Sequence, residues 1–107
     1  MKSIVISLTV AGMVVSGSAF STEMPELANK MYCTACHTID KKSNGPTWQD
    51  IANKYKGDPG AAAALQVKIS KGGSGIWGNL AMPAIDAEGT KQGEIKELVD
   101  FILGLAN

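Results

Sequence analysis

Both cysteines of the chain and its only histidine fall within five consecutive residues, Cys33-Thr34-Ala35-Cys36-His37. Two thiols two residues apart can add to the two vinyl groups of a porphyrin. An imidazole on the next residue then sits under the ring and can donate a nitrogen to iron, so C-x-x-C-H reads as covalent c-type haem attachment. Three other chemistries compete for these residues. A structural zinc site takes four protein ligands, and the chain has only three good ones. A thioredoxin-like dithiol belongs in a βαβ setting, which the sequence lacks. A plain disulfide leaves His37 without a role. One haem c, bound through Cys33 and Cys36, is the cofactor the pattern implies.

His37 fills one axial position, and the other decides the function. A second strong ligand gives an electron carrier, whereas an open position permits ligand binding or peroxide chemistry. No second histidine exists. Met1 and Met13 lie in the leader described below, Met31 is tethered two residues before Cys33, and Met24 is placed to pack on the first helix. Met82 lies 45 residues beyond His37, after a glycine-rich loop able to cross the haem edge, with Pro83 stiffening the chain behind it. His37 and Met82 are therefore the expected iron ligands, ordinary loop packing being the alternative for Met82. Imidazole with thioether raises the reduction potential, which suits a one-electron carrier among high-potential partners. A small haem enzyme or ligand-binding sensor of peroxidase type is the alternative if Met82 does not hold the iron.

These residues need elements to place them. Helical spacing of Leu27, Ala28 and Met31 predicts a first helix over 23–32, with Pro25 in its first turn. A second short helix is expected over 47–56, closed by Gly57. Asp58 as N-cap and Pro59 at the first helical position open a third, running through Ala61–Ala64 to Lys71. The stretch 72–89 reads as an ordered but irregular loop. The last helix, 91–106, carries Ile95, Leu98, Val99, Ile102 and Leu105 on one stripe and should cross the first near Ala28. No alternating strand pattern, repeat or linker is present, so the class is all-α with one domain.

That domain is small. The 107 residues are 45% hydrophobic, 6% aromatic and 19% charged, which excludes a multidomain enzyme and a low-complexity fibre. Ten lysines balance ten acids and there is no arginine, which excludes a strongly basic nucleic-acid binder. Met1-Lys2-Ser3, the apolar run Ile4–Val15 and the small residues 16–21 read as a secretory signal at 1–21, cleaved after about 19–21. That run is too short for a membrane span, which needs about 20 apolar residues. The domain 22–107 is thus expected in the periplasm with no stable membrane insertion. Its core is thin, but burying on the order of 400 Å² of porphyrin at roughly 25 cal/mol per Å² supplies about 10 kcal/mol. That rivals the whole stability of an ordinary domain, about 5–15 kcal/mol.

The ordered signals Cys33-x-x-Cys36-His37, Asn44-Gly45-Pro46, Gly75-Ile76-Trp77-Gly78 and Ala81-Met82-Pro83 resemble the short bacterial class I monohaem cytochromes c. The resemblance covers essentially all of 22–107. It implies four short helices wrapped around one covalently attached haem, in a monomeric electron-transfer protein that is not itself an enzyme. Its implied partners are redox proteins such as a membrane cytochrome complex, an oxidase, a peroxidase or a nitrite reductase, with no nucleic acid. By the same resemblance the Pro46 carbonyl accepts from the far nitrogen of His37. Trp77 donates its indole N–H to a propionate, Lys68 faces a propionate where the family often has arginine, and Trp48 lies near the haem edge. Plain packing or turn roles are the alternatives for Pro46, Trp48 and Trp77.

One departure carries a consequence. After Met-Pro the family often has a further proline and an asparagine whose amide contacts the methionine sulfur; here stand Ala84 and Ile85. The Met82 side chain is therefore expected to be less fixed. NMR of the haem-loaded protein should show its methyl group sampling both sulfur chiralities, and one sharp, static methyl geometry would count against this.

Overall fold

The computed structural model describes Gly12 and residues 23–107; apart from Gly12, the leader expected at 1–21 lies outside the described residues. The chain runs α1 (Glu26–Lys30), a 3-10 turn (Cys33–Ala35), α2 (Trp48–Lys54), α3 (Ala61–Lys71), β1 (Gly73–Gly75), β2 (Gly78–Met82) and α4 (Gln92–Leu103). Among the described residues no helix is long and apolar enough to cross a membrane.

Local chemistry explains where each helix starts and stops. α1 is shorter than its sequence pattern: Pro25 forces Met24 out of helical conformation, and Pro25 itself stays extended as the N-cap. The chain leaves α1 through Tyr32 in the left-handed region, φ 60°, and this reversal starts the turn that carries Cys33. α2 begins as expected, with the Thr47 hydroxyl accepting from the Asp50 N–H at 3.0 Å. Two more free N–H groups of its first turn, on Trp48 and Gln49, donate to the carbonyls of Thr38 and Ile39 at 2.9 Å. The strand of chain just after His37 is thereby stitched to α2. α3 starts two residues later than Asp58-Pro59 suggests. Asp58 caps a turn instead, its carboxylate accepting from Gly60 N–H at 2.8 Å and its carbonyl from Ala61 N–H at 3.2 Å.

The expected irregular loop at 72–89 contains a hairpin. β1 and β2 pair antiparallel, Gly73 opposite Met82 and Gly75 opposite Gly78, with a bulge between and Ile76-Trp77 at the turn. Gly-Ser-Gly and Gly-Asn-Leu-Ala-Met have no β-branched residue and no alternation, so pairing rather than propensity makes them strands. The class remains predominantly helical.

α4 packs against α1, α2 and α3. Its stripe of Ile95, Leu98, Val99 and Ile102 is buried together with Ala28, Met31, Trp48, Ile51, Leu65 and Ile69 in one core. Phe101 meets Trp48 edge-on, ring centroids 5.8 Å apart. The loop into α4 is held by Asp86. Its carboxylate accepts from the N–H groups of Thr90 and Lys91, each at 2.8 Å, and from the Gln92 side-chain amide at 2.7 Å. Gln92 also reaches the buried Ser70 hydroxyl at 2.8 Å, which ties the start of α4 to the end of α3.

Burial alone would raise the Asp86 pKa. The hydrogen bonds from Gln92 and from the backbone of Lys91, Thr90 and Gly89 outweigh it and hold the group below the ordinary carboxylate value. A depressed folded pKa contributes stability above the unfolded value, about 3.9, and loses it as pH falls through the folded one. Asp86→Asn should therefore melt at lower temperature than the parent near neutrality, with the gap closing as pH drops below the carboxylate range. Thermal melts of the haem-loaded proteins across pH check this; a gap independent of pH would show that the charge plays no part.

Candidate functional site

The attachment segment folds tightly upon itself. His37 N–H and Cys36 N–H both donate to the Cys33 carbonyl, at 2.9 and 3.2 Å, which puts both thiols and the imidazole on one compact turn. Cys33 is buried, its Sγ 3.9 Å from the Met31 carbonyl. Burial pushes its thiol pKa up, partly offset by a backbone hydrogen bond. Cys36 is half-buried, and no disulfide joins it to Cys33. Among the described residues no three His, Cys, Asp or Glu side chains converge as a metal cluster, which leaves the zinc alternative without a site.

The imidazole is fixed from behind. Gly45 N–H donates to the Cys36 carbonyl at 2.8 Å and folds Asn44-Gly45-Pro46 over the ring. His37 Nδ1 then lies 2.8 Å from the Pro46 carbonyl. A carbonyl only accepts, so Nδ1 carries the proton and Nε2 is left as an unprotonated donor. Gly45 is required by this closeness: a Cβ there would stand 2.8 Å from His37 Cε1 and 3.0 Å from Nδ1. The sequence shows Asn44-Gly45-Pro46 as a turn, but not that its glycine is pressed against the ring.

These groups line a cleft that is partly open to solvent. Cys33, Cys36, His37 and Pro46 border it, with Trp48 and Ile51 from α2, Leu65, Lys68 and Ile69 from α3, and Leu98 and Ile102 from α4. The hairpin adds Trp77, Leu80 and Met82. A lining of this kind, aliphatic with two thiols and an imidazole at one place, fits a flat apolar macrocycle that is covalently tethered there. All eight residues singled out from sequence, Cys33, Cys36, His37, Pro46, Trp48, Lys68, Trp77 and Met82, are brought to this one cleft.

Their settings differ. Trp48 is only 2% exposed and tilted 39° to the His37 ring, centroids 6.5 Å apart, so it is a wall of the cleft as well as core. Trp77 sits at the hairpin turn, 43% exposed. The Lys54 ammonium lies over its ring, 5.6 Å from the centroid, and 6.0 Å from that of Tyr55. Lys54 carries no sequence signal for this place, since only the fold brings α2 to the hairpin. Lys68 and Met82 are half-buried on the cleft wall.

Comparison with known proteins agrees with this geometry. The cytochrome c family profile matches residues 22–106. Cytochrome c-552 of Hydrogenobacter thermophilus is 39% identical over 98 residues, covering 92% of this chain and 95% of that protein. The crystal structure of Nitrosomonas europaea cytochrome c552 superposes with a TM-score of 0.69 at 41% identity, over 75% of this chain and 96% of that one. A class 1 cytochrome from Sideroxydans lithotrophicus gives a TM-score of 0.64 at 31% identity, over 75% and 89%. The chain belongs to the cytochrome c family, with the class I fold and with Cys33 and Cys36 as the thiols that carry its c-type haem.

Proposed function

We propose that this chain is an exported, diffusible one-electron carrier of the periplasm, with His37 and Met82 as the axial ligands of its haem. The observation that carries the proposal is that Met82 and a His37 with its Nδ1 already engaged line the same apolar cleft as the two attachment thiols. When bound, the haem iron supplies the Fe(III)/Fe(II) couple. The residues around it do the rest. Cys33 and Cys36 fix the macrocycle to the turn, and the Pro46 carbonyl holds the imidazole in one tautomer and orientation. Ile51, Leu65, Ile69, Leu98 and Ile102 exclude water, and a dry, preformed setting needs little rearrangement when charge changes. Trp77 and Lys68 stand at the cleft as donors for propionates. If His37 and Met82 both hold the iron, a substrate would find no open place on it, which supports a carrier rather than an enzyme.

Redox proteins are the partners, and the lysines between 30 and 71, seven against Asp40, Asp50 and Asp58, give that part of the chain a positive balance suited to acidic docking faces. Residues 1–21 act as the leader that delivers the domain 22–107, which works as a monomer.

Reduced-minus-oxidised spectra with and without carbon monoxide test the ligation. The ferric protein should show the near-infrared sulfur-to-iron band, and the ferrous protein should refuse carbon monoxide. Met82→Ala should lose the band, bind the gas and fall in potential. A parent protein that binds carbon monoxide readily would point to an open-site haem protein instead.

Gly45→Ala probes the other ligand. A methyl group driven against the imidazole should lower stability by about 1–3 kcal/mol, as overpacking does, and weaken the His37–Pro46 contact. Denaturant unfolding followed at the Soret band measures this; an unchanged midpoint would mean that the ring has room to retreat.

A further inference from the structure

The backbone that delivers Met82 lies directly on Gly72. A Cβ built at Gly72 would meet the Met82 carbonyl oxygen, and would stand 2.8 Å from both the Pro83 carbonyl carbon and the Ala84 nitrogen. These are main-chain atoms with no flexible end to swing away. Ordinary contact begins at about 3.4 Å, so the 82–84 backbone would have to recede by about 0.6 Å or more. Gly72 also holds φ 70°, ψ −159°, a combination essentially confined to glycine.

The segment has little freedom to recede. On one side Met82 is held opposite Gly73 in the hairpin. On the other, Ile85 and Asp86 donate their N–H groups to the Ile69 and Ser70 carbonyls, each at 3.1 Å. Residues 82–86 are thus laid along the last turn of α3, with Gly72 at the point of closest approach. From this geometry we infer that Gly72 is a positioning residue for Met82: its bare Cα is the seat that sets the approach of the methionine to the cleft. The inference rests on Met82 being an axial ligand. Binding groups work when held within about 0.5 Å of their place, and the displacement a side chain at 72 would force exceeds that.

The test compares four haem-loaded proteins: the parent, Gly72→Ala, Met82→Ala and Gly89→Ala. Gly89 also has a positive φ, 77°, and lies in the loop after Met82, but a Cβ there meets nothing within 4 Å. It therefore reports backbone strain without a lost seat. Gly72→Ala should lose at least half of the near-infrared band, take up carbon monoxide at least tenfold faster than the parent, and fall in potential while keeping its helical circular dichroism. Gly89→Ala should keep the band and the resistance to carbon monoxide. The inference is overturned if Gly72→Ala stays within twofold of the parent, or if Gly89→Ala loses the band to the same extent. Should Gly72→Ala give no haem protein, Gly72→Ala/Ala84→Gly, whose loop can yield more easily, carries the same measurement. If that too gives none while Gly89→Ala folds, the seat serves the scaffold alone and the inference fails. A parent lacking the band, or Met82→Ala retaining it, marks a different failure, that of the ligation itself.

Discussion

One apolar surface has to serve two purposes in this molecule. Ile51, Leu65, Ile69, Leu98 and Ile102 are the interior of the helical domain and at the same time the lining of the cleft. A chain of this length cannot build a large core and a separate binding chamber, so its helices are arranged around the group they hold. The same economy explains why Trp48 stands between the His37 ring and Phe101 on α4. The face that buries the last helix is also the wall beside the attachment site, and packing and ligand placement cannot be altered independently there.

The C-terminal turn of α3 is where the remaining parts meet. Its carbonyls at Ile69 and Ser70 would otherwise lack partners, as the last carbonyls of any helix do; here the backbone after Met82 satisfies them. Ser70 then bonds to Gln92 and Gln92 to Asp86, so a single hydrogen-bonded run leads from α3 through the 83–91 loop into α4. The hairpin leaves the same helix end on the other side. A glycine at 72 lets all three strands of chain crowd together, and the loop carrying Met82 is ordered by this junction rather than by any propensity of its own.

How far the sequence discloses this structure depends on the reach of each cause. The α4 stripe arises within a turn or two and is visible as spacing. Cys33, Cys36 and His37 are adjacent because the chemistry of attachment demands it, so they declare themselves. Helical spacing alone starts α1 and α3 too early, because it says nothing of where Pro25 and Asp58 divert the backbone. The hairpin is hidden for a different reason: Gly73–Gly75 and Gly78–Met82 become strands only by pairing with each other at the end of α3. Gly45 and Gly72 look like ordinary loop glycines. What makes them necessary is an imidazole eight residues before the first and a backbone ten residues after the second.

The same separation of causes distinguishes two freedoms of Met82. Its main chain is pinned by Gly73 across the hairpin, by Gly72 beneath and by the Ile69 and Ser70 carbonyls beyond, all contacts that do not depend on which residues stand at 84 and 85. Its sulfur answers to side chains, and Ala84 and Ile85 offer that sulfur no amide donor. On the proposed ligation, a fixed Cα is therefore compatible with an iron-bound thioether that inverts, because inversion at sulfur moves the methyl group without moving the backbone. A polar partner introduced at the exposed position 84 would act on the second freedom, whereas changes at Gly72 act on the first, so the two can be tuned separately in this fold.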